Sequence, residues 1–192
     1  MQQDAGEEFA EIVRRSRDDG FMVPTPSEQL SAACVQVLAL AEAGIEVDPH
    51  AVAVAQLAVA RREAEAANYP AAVELARRAL ASGAMAPDDI DTLTARHHVA
   101  YWLGESGRID DGIVAFRALL VDRLRVLGPD HPDTLLTRNS LAWWLVTAGQ
   151  IDEATDQCRA ALESRLRSLG PDHPDTRDAR HNLDWCLARA TR

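Results

Sequence analysis

The chain has 192 residues and a net charge of −10, and its 20 basic residues are all arginine. The absence of lysine excludes a Walker-A nucleotide site, a kinase active site and Schiff-base chemistry. The acidic balance argues against nucleic-acid binding, which needs a basic face. The 34 alanines favour helices, and an alanine- and arginine-rich sequence without lysine is typical of bacteria with GC-rich genomes.

The sequence carries no targeting, membrane or metal motif. Its N-terminus is acidic and lacks the basic segment of a signal peptide, and no apolar run approaches the roughly 18 residues of a membrane span. The six histidines and three cysteines (Cys34, Cys158 and Cys186) have no metal-ligand spacing, and we expect the cysteines to be reduced and partly buried. We therefore expect a cytoplasmic protein that contacts no membrane and needs no cofactor or metal.

The N-terminal part of the chain predicts helices with an acidic surface. Residues 1–48 are predicted to form two helices, over 5–19 and 27–43, separated by a proline-containing break. Residues 49–90 are predicted to form a degenerate repeat, because several of their residues match the following segment at an offset of 40. The first 90 residues carry a net charge of −8, compared with −2 for the rest of the chain.

An internal repeat with a period of 42 residues begins at Asp91, begins again at Asp133 and Asp175, and stops halfway through the third copy. The copies align without a gap, as shown by Arg96/Arg138/Arg180, Leu103/Leu145/Leu187, Gly107/Gly149 and Gly128/Gly170. Repeats of this length are supersecondary units that bury their apolar faces against one another.

Each full repeat is predicted to contain two helices. The first ends at Gly107 or Gly149, since glycine readily adopts the left-handed conformation of a helix end. The second begins near Asp110 or Asp152 and stops at a Leu-Gly-Pro segment. The Asp-His-Pro-Asp segment that follows is predicted to start the next helix, with proline in its first turn.

The Leu-Gly-Pro-Asp-His-Pro-Asp-Thr segments at 127–134 and 169–176, together with Gly-Gln-Ile-Asp-Glu-Ala at 149–154, resemble tetratricopeptide repeats of the 42-residue type found in kinesin light chain. This resemblance implies an all-α fold, a right-handed α-solenoid of antiparallel helix pairs with about nine helices.

The same resemblance assigns the repeats to 91–132 and 133–174, followed by a half repeat at 175–192 that forms a capping helix. Family members place small residues where paired helices touch, here Ala100 facing Gly112 and Ala142 facing Ala154. The third unit has Asp184 at this position, which fits a capping helix with a polar face.

In this family the first helix of each unit lines a concave groove that binds peptides. Mapped onto this chain, the groove-facing residues are His97, Tyr101, Asn139, Trp143, His181 and Trp185, with Arg138 and Asn182 beside them. Amides and imidazoles can hydrogen-bond a peptide backbone, and aromatic rings can bind apolar or cationic side chains. Alternatively, Trp143 and Trp185 only stack on one another and close the groove.

Two further rows of residues recur at the repeat spacing. Arg96, Arg138 and Arg180 either grip an acidic ligand, or each pairs with an acid of an adjacent helix and stacks its stem on a tryptophan, which braces one repeat against the next; we favour the brace. Trp102 and Trp144 are predicted to lie in the core between repeats.

The sequence therefore predicts a protein-interaction module, an adaptor or regulatory scaffold, that holds a peptide or partner segment in its concave groove and catalyses no reaction. The first alternative is self-assembly into a homo-oligomer through the acidic N-terminal helices. The second is a small-ligand sensor or an enzyme that uses the aromatic groove.

Overall fold

A computed structural model describes residues 28–190, and this part of the chain is helical and contains no strand. The eight helices are α1 (Glu28–Glu42), α2 (Pro49–Glu65), α3 (Tyr69–Ala81), α4 (Ile90–Glu105), α5 (Ile109–Val126), α6 (Pro132–Thr147), α7 (Ile151–Leu169) and α8 (Pro174–Ala190). The all-α prediction and the helix predicted over 27–43 are confirmed, whereas the helix predicted over 5–19 lies outside the described residues. None of the described helices combines the length and the apolar character that crossing a bilayer requires.

The chain divides into two compact units, Met1–Ala95 and Arg96–Arg192, and the division falls inside α4. In the first unit α1 packs on α2, and α2 packs on α3. Small side chains make these contacts, and Ala53, Ala55 and Ala79 are fully buried. The high alanine content therefore serves close helix packing as well as helix propensity.

In the second unit each helix from α5 to α8 packs on the next, and α6 also touches α8. The core between these helices contains Phe116, Leu141, Trp144 and Leu145, all of them buried. The buried position of Trp144 confirms the prediction that this residue belongs to the core.

The paired helices α4 and α5 are in close contact at Ala100 and Gly112. A Cβ atom at Gly112 would lie only 2.9 Å from the carbonyl oxygen of Ala100. The predicted need for a small residue at this point is therefore confirmed. Asp184, at the matching position of α8, is exposed.

Helices α6 and α8 begin with the same histidine cap. The backbone N–H of Asp133 donates to Nδ1 of His131 at 3.1 Å, and the backbone N–H of Asp175 donates to Nδ1 of His173 at 3.2 Å. A proline occupies the first helical position in both cases. The predicted helix starts are confirmed, and the histidine ring is the side chain that accepts an otherwise unpaired amide hydrogen.

In each full repeat, an arginine of the second helix donates hydrogen bonds to the start of the next repeat. Arg123 is only 2% exposed, and its Nη1 donates to the carbonyl oxygen of Asp133 and to Oγ1 of Thr137, both at 2.8 Å. One repeat later, Nη1 of Arg165 donates to the carbonyl oxygen of Asp175 at 3.0 Å. The 42-residue period thus repeats a hydrogen bond as well as a helix pair.

Candidate functional site

A cleft of about 510 Å³ lies in the second unit, where the first helices of successive repeats, α4, α6 and α8, come together. Its lining consists of Tyr101, Glu105, Asn139, Ser140, Ala142, Trp143, Trp144, Cys158, His181, Asn182, Trp185 and Cys186. Six of the eight residues predicted to contact a partner are in this set, namely Tyr101, Asn139, Trp143, His181, Asn182 and Trp185.

A stack of aromatic rings forms one part of the cleft. The rings of Trp143 and Trp185 are nearly parallel, with an interplanar angle of 11° and centroids 5.5 Å apart. The guanidinium carbon of Arg189 lies 3.7 Å from the ring centroid of Trp185. Trp143 nevertheless keeps 54% of its surface exposed, so the stacking holds its ring in place without covering it.

Two cysteines at the base of the cleft replace larger aromatic residues of the preceding repeat. Cys158 occupies the position of Phe116, and Cys186 occupies the position of Trp144, each 42 residues later. Both thiols are buried and unbridged, with their Sγ atoms 3.4 Å apart. Because these side chains are small, they leave open space that an indole and a phenyl ring would fill.

The thiol of Cys158 is not poised as a nucleophile. Burial raises the pKa of Cys158 to about 12, and the neighbouring Cys186 adds to this effect. A thiol with so high a pKa stays protonated at neutral pH, and the thiolate is the reactive form.

Two buried polar atoms of cleft-lining residues have no hydrogen-bond partner among the described residues: Oδ1 of Asn139 and Nε1 of Trp144. One is an acceptor and the other is a donor. An unpaired buried polar atom costs about 1–3 kcal/mol. Both atoms have almost no solvent-accessible surface, so they are not presented to a ligand in the cleft.

His97 lies in the interior and not in the cleft lining. It is 9% exposed, and its ring makes an edge contact with Phe116 at 5.2 Å between centroids. Burial, with smaller contributions from Arg123 and His98, lowers the pKa of His97 to about 3. The imidazole is therefore neutral at physiological pH, and the role predicted for it in partner binding stays a prediction.

The predicted arginine row makes different contacts at each of its three positions. Nη1 of Arg96 forms an ion pair with Asp122 at 2.8 Å, and Nη1 of Arg138 donates to Oε1 of Gln157 at 2.6 Å. Arg180 is exposed. The contacts of Arg96 and Arg138 join the two helices of one repeat, so they brace the repeat internally, and the predicted brace between repeats is wrong for these two residues.

A contact between repeats is made by a residue that the sequence did not single out for this role. The guanidinium of Arg117 in α5 forms a two-point ion pair with Glu153 in α7, with an Nε–Oε1 distance of 2.9 Å, and it also reaches Gln150 at 2.8 Å. The hydrogen bond from Arg117 lowers the pKa of Glu153. Both residues are partly exposed, so this pair stabilises the fold only modestly.

Six residues of the lining were not among the predicted contact residues: Glu105, Ser140, Ala142, Trp144, Cys158 and Cys186. The repeat alignment contained one indication of the cleft, since Cys186 stands where Trp102 and Trp144 stand in the preceding units. Within residues 28–190, no three side chains come together as potential metal ligands.

Two segments, residues 92–133 and 134–175, each match the sequence model of the tetratricopeptide repeat family. These segments are therefore tetratricopeptide repeats, which typically form protein-interaction scaffolds, and the resemblance predicted from the sequence is confirmed. No curated protein gives a significant match to the chain.

The chain is also similar in structure to kinesin light chain-like repeat proteins. Two crystal structures of nearly identical TPR-like repeats from Podosopora anserina, one of them a variant, give TM-scores of 0.76 at 18% and 19% identity, covering 96% of this chain and 86% of theirs. BtubC (BKLC) from P. vanneervenii gives a TM-score of 0.70 at 18% identity, covering 85% of this chain and 65% of that protein. At such identities the similarity establishes the fold, an α-solenoid of the tetratricopeptide type.

Proposed function

We propose that this chain, in which residues 92–175 are two tetratricopeptide repeats, is a protein-interaction module that binds a peptide or partner segment in the cleft between α4, α6 and α8. It acts as an adaptor or regulatory scaffold in the cytoplasm and catalyses no reaction. The observation that carries this proposal is the ring of Trp143, which is held by stacking on Trp185 and is still 54% exposed within the cleft.

Such a ring is suited to be an anchor for a partner. Aromatic residues contribute a large share of the binding energy at protein interfaces. Because stacking already restricts the indole of Trp143, binding costs little additional side-chain entropy. An extended peptide also presents main-chain donors and acceptors, which can pair with polar side chains of the lining such as His181 and Asn182.

The chemistry of the cleft favours binding over catalysis. The thiol of Cys158, a nucleophile in other settings, has a pKa raised to about 12 by burial and by its neighbour. The other polar groups of the lining include two amides, two hydroxyl groups, an imidazole and the carboxylate of Glu105, which serve well as hydrogen-bonding partners of a peptide.

Selection of peptides from a random display library on the purified protein tests the proposal. Selected peptides are then titrated by fluorescence anisotropy against the wild type and the Trp143→Ala variant. We expect the variant to bind at least about tenfold more weakly, because loss of an aromatic anchor typically costs about 2 kcal/mol or more, and about 1.4 kcal/mol is a factor of ten.

The control is Val121→Ala, which truncates an exposed apolar residue of α5 outside the cleft lining. Circular dichroism of both variants shows whether the helices are retained. Peptides that bind Trp143→Ala as tightly as the wild type would place the binding surface elsewhere and refute the proposal.

A further inference from the structure

Glu105 gives the cleft a charge preference, and the inference drawn from it rests on the proposed function of the cleft. This residue is the last of α4, is exposed and lines the cleft. With histidine counted as neutral, Glu105 is the one formally charged side chain of the described lining. No ion pair within residues 28–190 involves it.

The position of Glu105 makes this end of the cleft attractive to a cation. The carboxyl end of a helix carries a partial negative charge, which repels a carboxylate in the last turn. The last turn of α4 contains no basic residue to compensate. The net charge of −10 on the chain adds to the same effect, so a positive group placed beside Glu105 would be stabilised.

The aromatic stack of Trp143 and Trp185 already binds one cation of this protein, a guanidinium group. The guanidinium of Arg189 lies on Trp185, 3.7 Å from the ring centroid, and Trp185 stacks on Trp143. The stack therefore already holds one guanidinium group, and the ring of Trp143 stays 54% exposed. A second guanidinium on Trp143 would extend the same arrangement into the cleft.

We infer that the cleft binds an arginine side chain of the partner peptide, with its guanidinium group stacked on Trp143 and hydrogen-bonded to the carboxylate of Glu105. A planar guanidinium can stack on a ring and donate two parallel hydrogen bonds to one carboxylate. A lysine ammonium is a compact, strongly hydrated point charge, so the site prefers arginine to lysine.

The test uses the acetylated, amidated pentapeptide Gly-Ala-Arg-Ala-Gly and two analogues, in which citrulline or lysine replaces the arginine. Citrulline has nearly the same shape as arginine but no charge. Each peptide is titrated into the ¹⁵N-labelled full-length protein, and binding is followed through the indole N–H resonances of Trp143 and Trp185. We expect saturable shifts with the arginine peptide, and dissociation constants about fivefold higher for citrulline and about threefold higher for lysine.

The matched variants are Glu105→Gln and Glu163→Gln, which remove the same charge from the cleft and from an exposed site of α7 outside the lining. Glu105→Gln should raise the dissociation constant of the arginine peptide about fivefold, and Glu163→Gln should leave it unchanged within a factor of two. The inference is overturned by equal binding of the arginine and citrulline peptides, by no response to Glu105→Gln, or by the absence of saturable shifts.

This failure is distinguishable from failure of the proposed function. If library peptides without arginine bind Trp143→Ala more weakly than the wild type, the proposed interaction module stands and the arginine preference is overturned. Library peptides that are insensitive to Trp143→Ala would refute the proposed function itself.

Discussion

Gly104 of α4 lies directly against the indole ring of Trp144 in α6: a Cβ atom at Gly104 would come within 2.7 Å of ring atom Cδ2. The contact joins the first helices of two successive repeats. Trp144 is buried and also lines the cleft. The absence of a side chain at residue 104 is therefore a condition for both the packing between repeats and the shape of the cleft.

We expect Gly104→Ala to lower the free energy of unfolding by about 1–3 kcal/mol, because the added methyl group overpacks the interface with Trp144. An alanine in a helix is otherwise more favourable than a glycine. A loss of stability in Gly104→Ala would therefore come from the steric contact with Trp144 and not from helix propensity. Urea unfolding followed by circular dichroism measures it. A Trp144→Phe background, with a smaller ring, should reduce the cost of Gly104→Ala, and an undiminished cost would contradict this explanation.

Substitutions of the adjacent residues Trp143 and Trp144 should affect stability to different extents, because one ring is exposed for binding and the other is buried. Trp144→Ala should cost about 3–5 kcal/mol because it empties a buried position. Trp143→Ala should cost only about 1 kcal/mol, the value of one stacked aromatic pair. Unfolding midpoints of the two variants, measured side by side, check this; equal losses would show that Trp143 is a core residue.

The helix boundaries could be predicted because local residues determine them. Gly107 and Gly149 end their helices with φ angles of +83° and +76°, a conformation that only glycine adopts at low cost. The Pro-Asp segments after His131 and His173 start helices for equally local reasons. A strict 42-residue period then carries each assignment to the next unit.

The individual roles of side chains on one helix face could not be predicted in the same way. A spacing of four residues places His97 and Tyr101 on the same side of α4, yet His97 is buried against Phe116 while Tyr101 is exposed. Which side of α4 is buried depends on how α4 packs against α5, and the spacing of residues within α4 does not reveal this contact. The cleft likewise depends on the two small thiols of Cys158 and Cys186, whose proximity appears only in the packed structure.

The buried imidazole of His97 should make stability depend on pH. Its pKa is lowered to about 3 in the folded protein from 6.5, so between these values the unfolded chain binds a proton that the folded protein does not. The free energy of unfolding therefore falls as the pH falls below 6.5, by up to about 1.4 kcal/mol per pH unit. The stability that the neutral imidazole of His97 contributes is fully present at pH values above 6.5.

Urea unfolding at pH 7 and pH 5 measures the effect, with His97→Gln as the comparison. Between these two pH values the wild type should lose up to about 2 kcal/mol more than the variant. Comparing the change within each protein removes any pH-independent cost of the substitution. Identical changes in both proteins would show that His97 titrates normally and is not buried as a neutral group.

The two junction arginines offer a matched pair of substitutions at equivalent positions. Arg123 is 2% exposed and donates to both Asp133 and Thr137, whereas Arg165 is less buried and donates to the carbonyl oxygen of Asp175. Because hydrogen bonds from a charged donor gain strength when water is excluded, Arg123→Ala should cost about 2–4 kcal/mol and Arg165→Ala about 1 kcal/mol or less. Thermal unfolding of the two variants decides the point. A larger loss for Arg165→Ala would mean that the junction to α8, and not the junction to α6, limits the stability of the second unit.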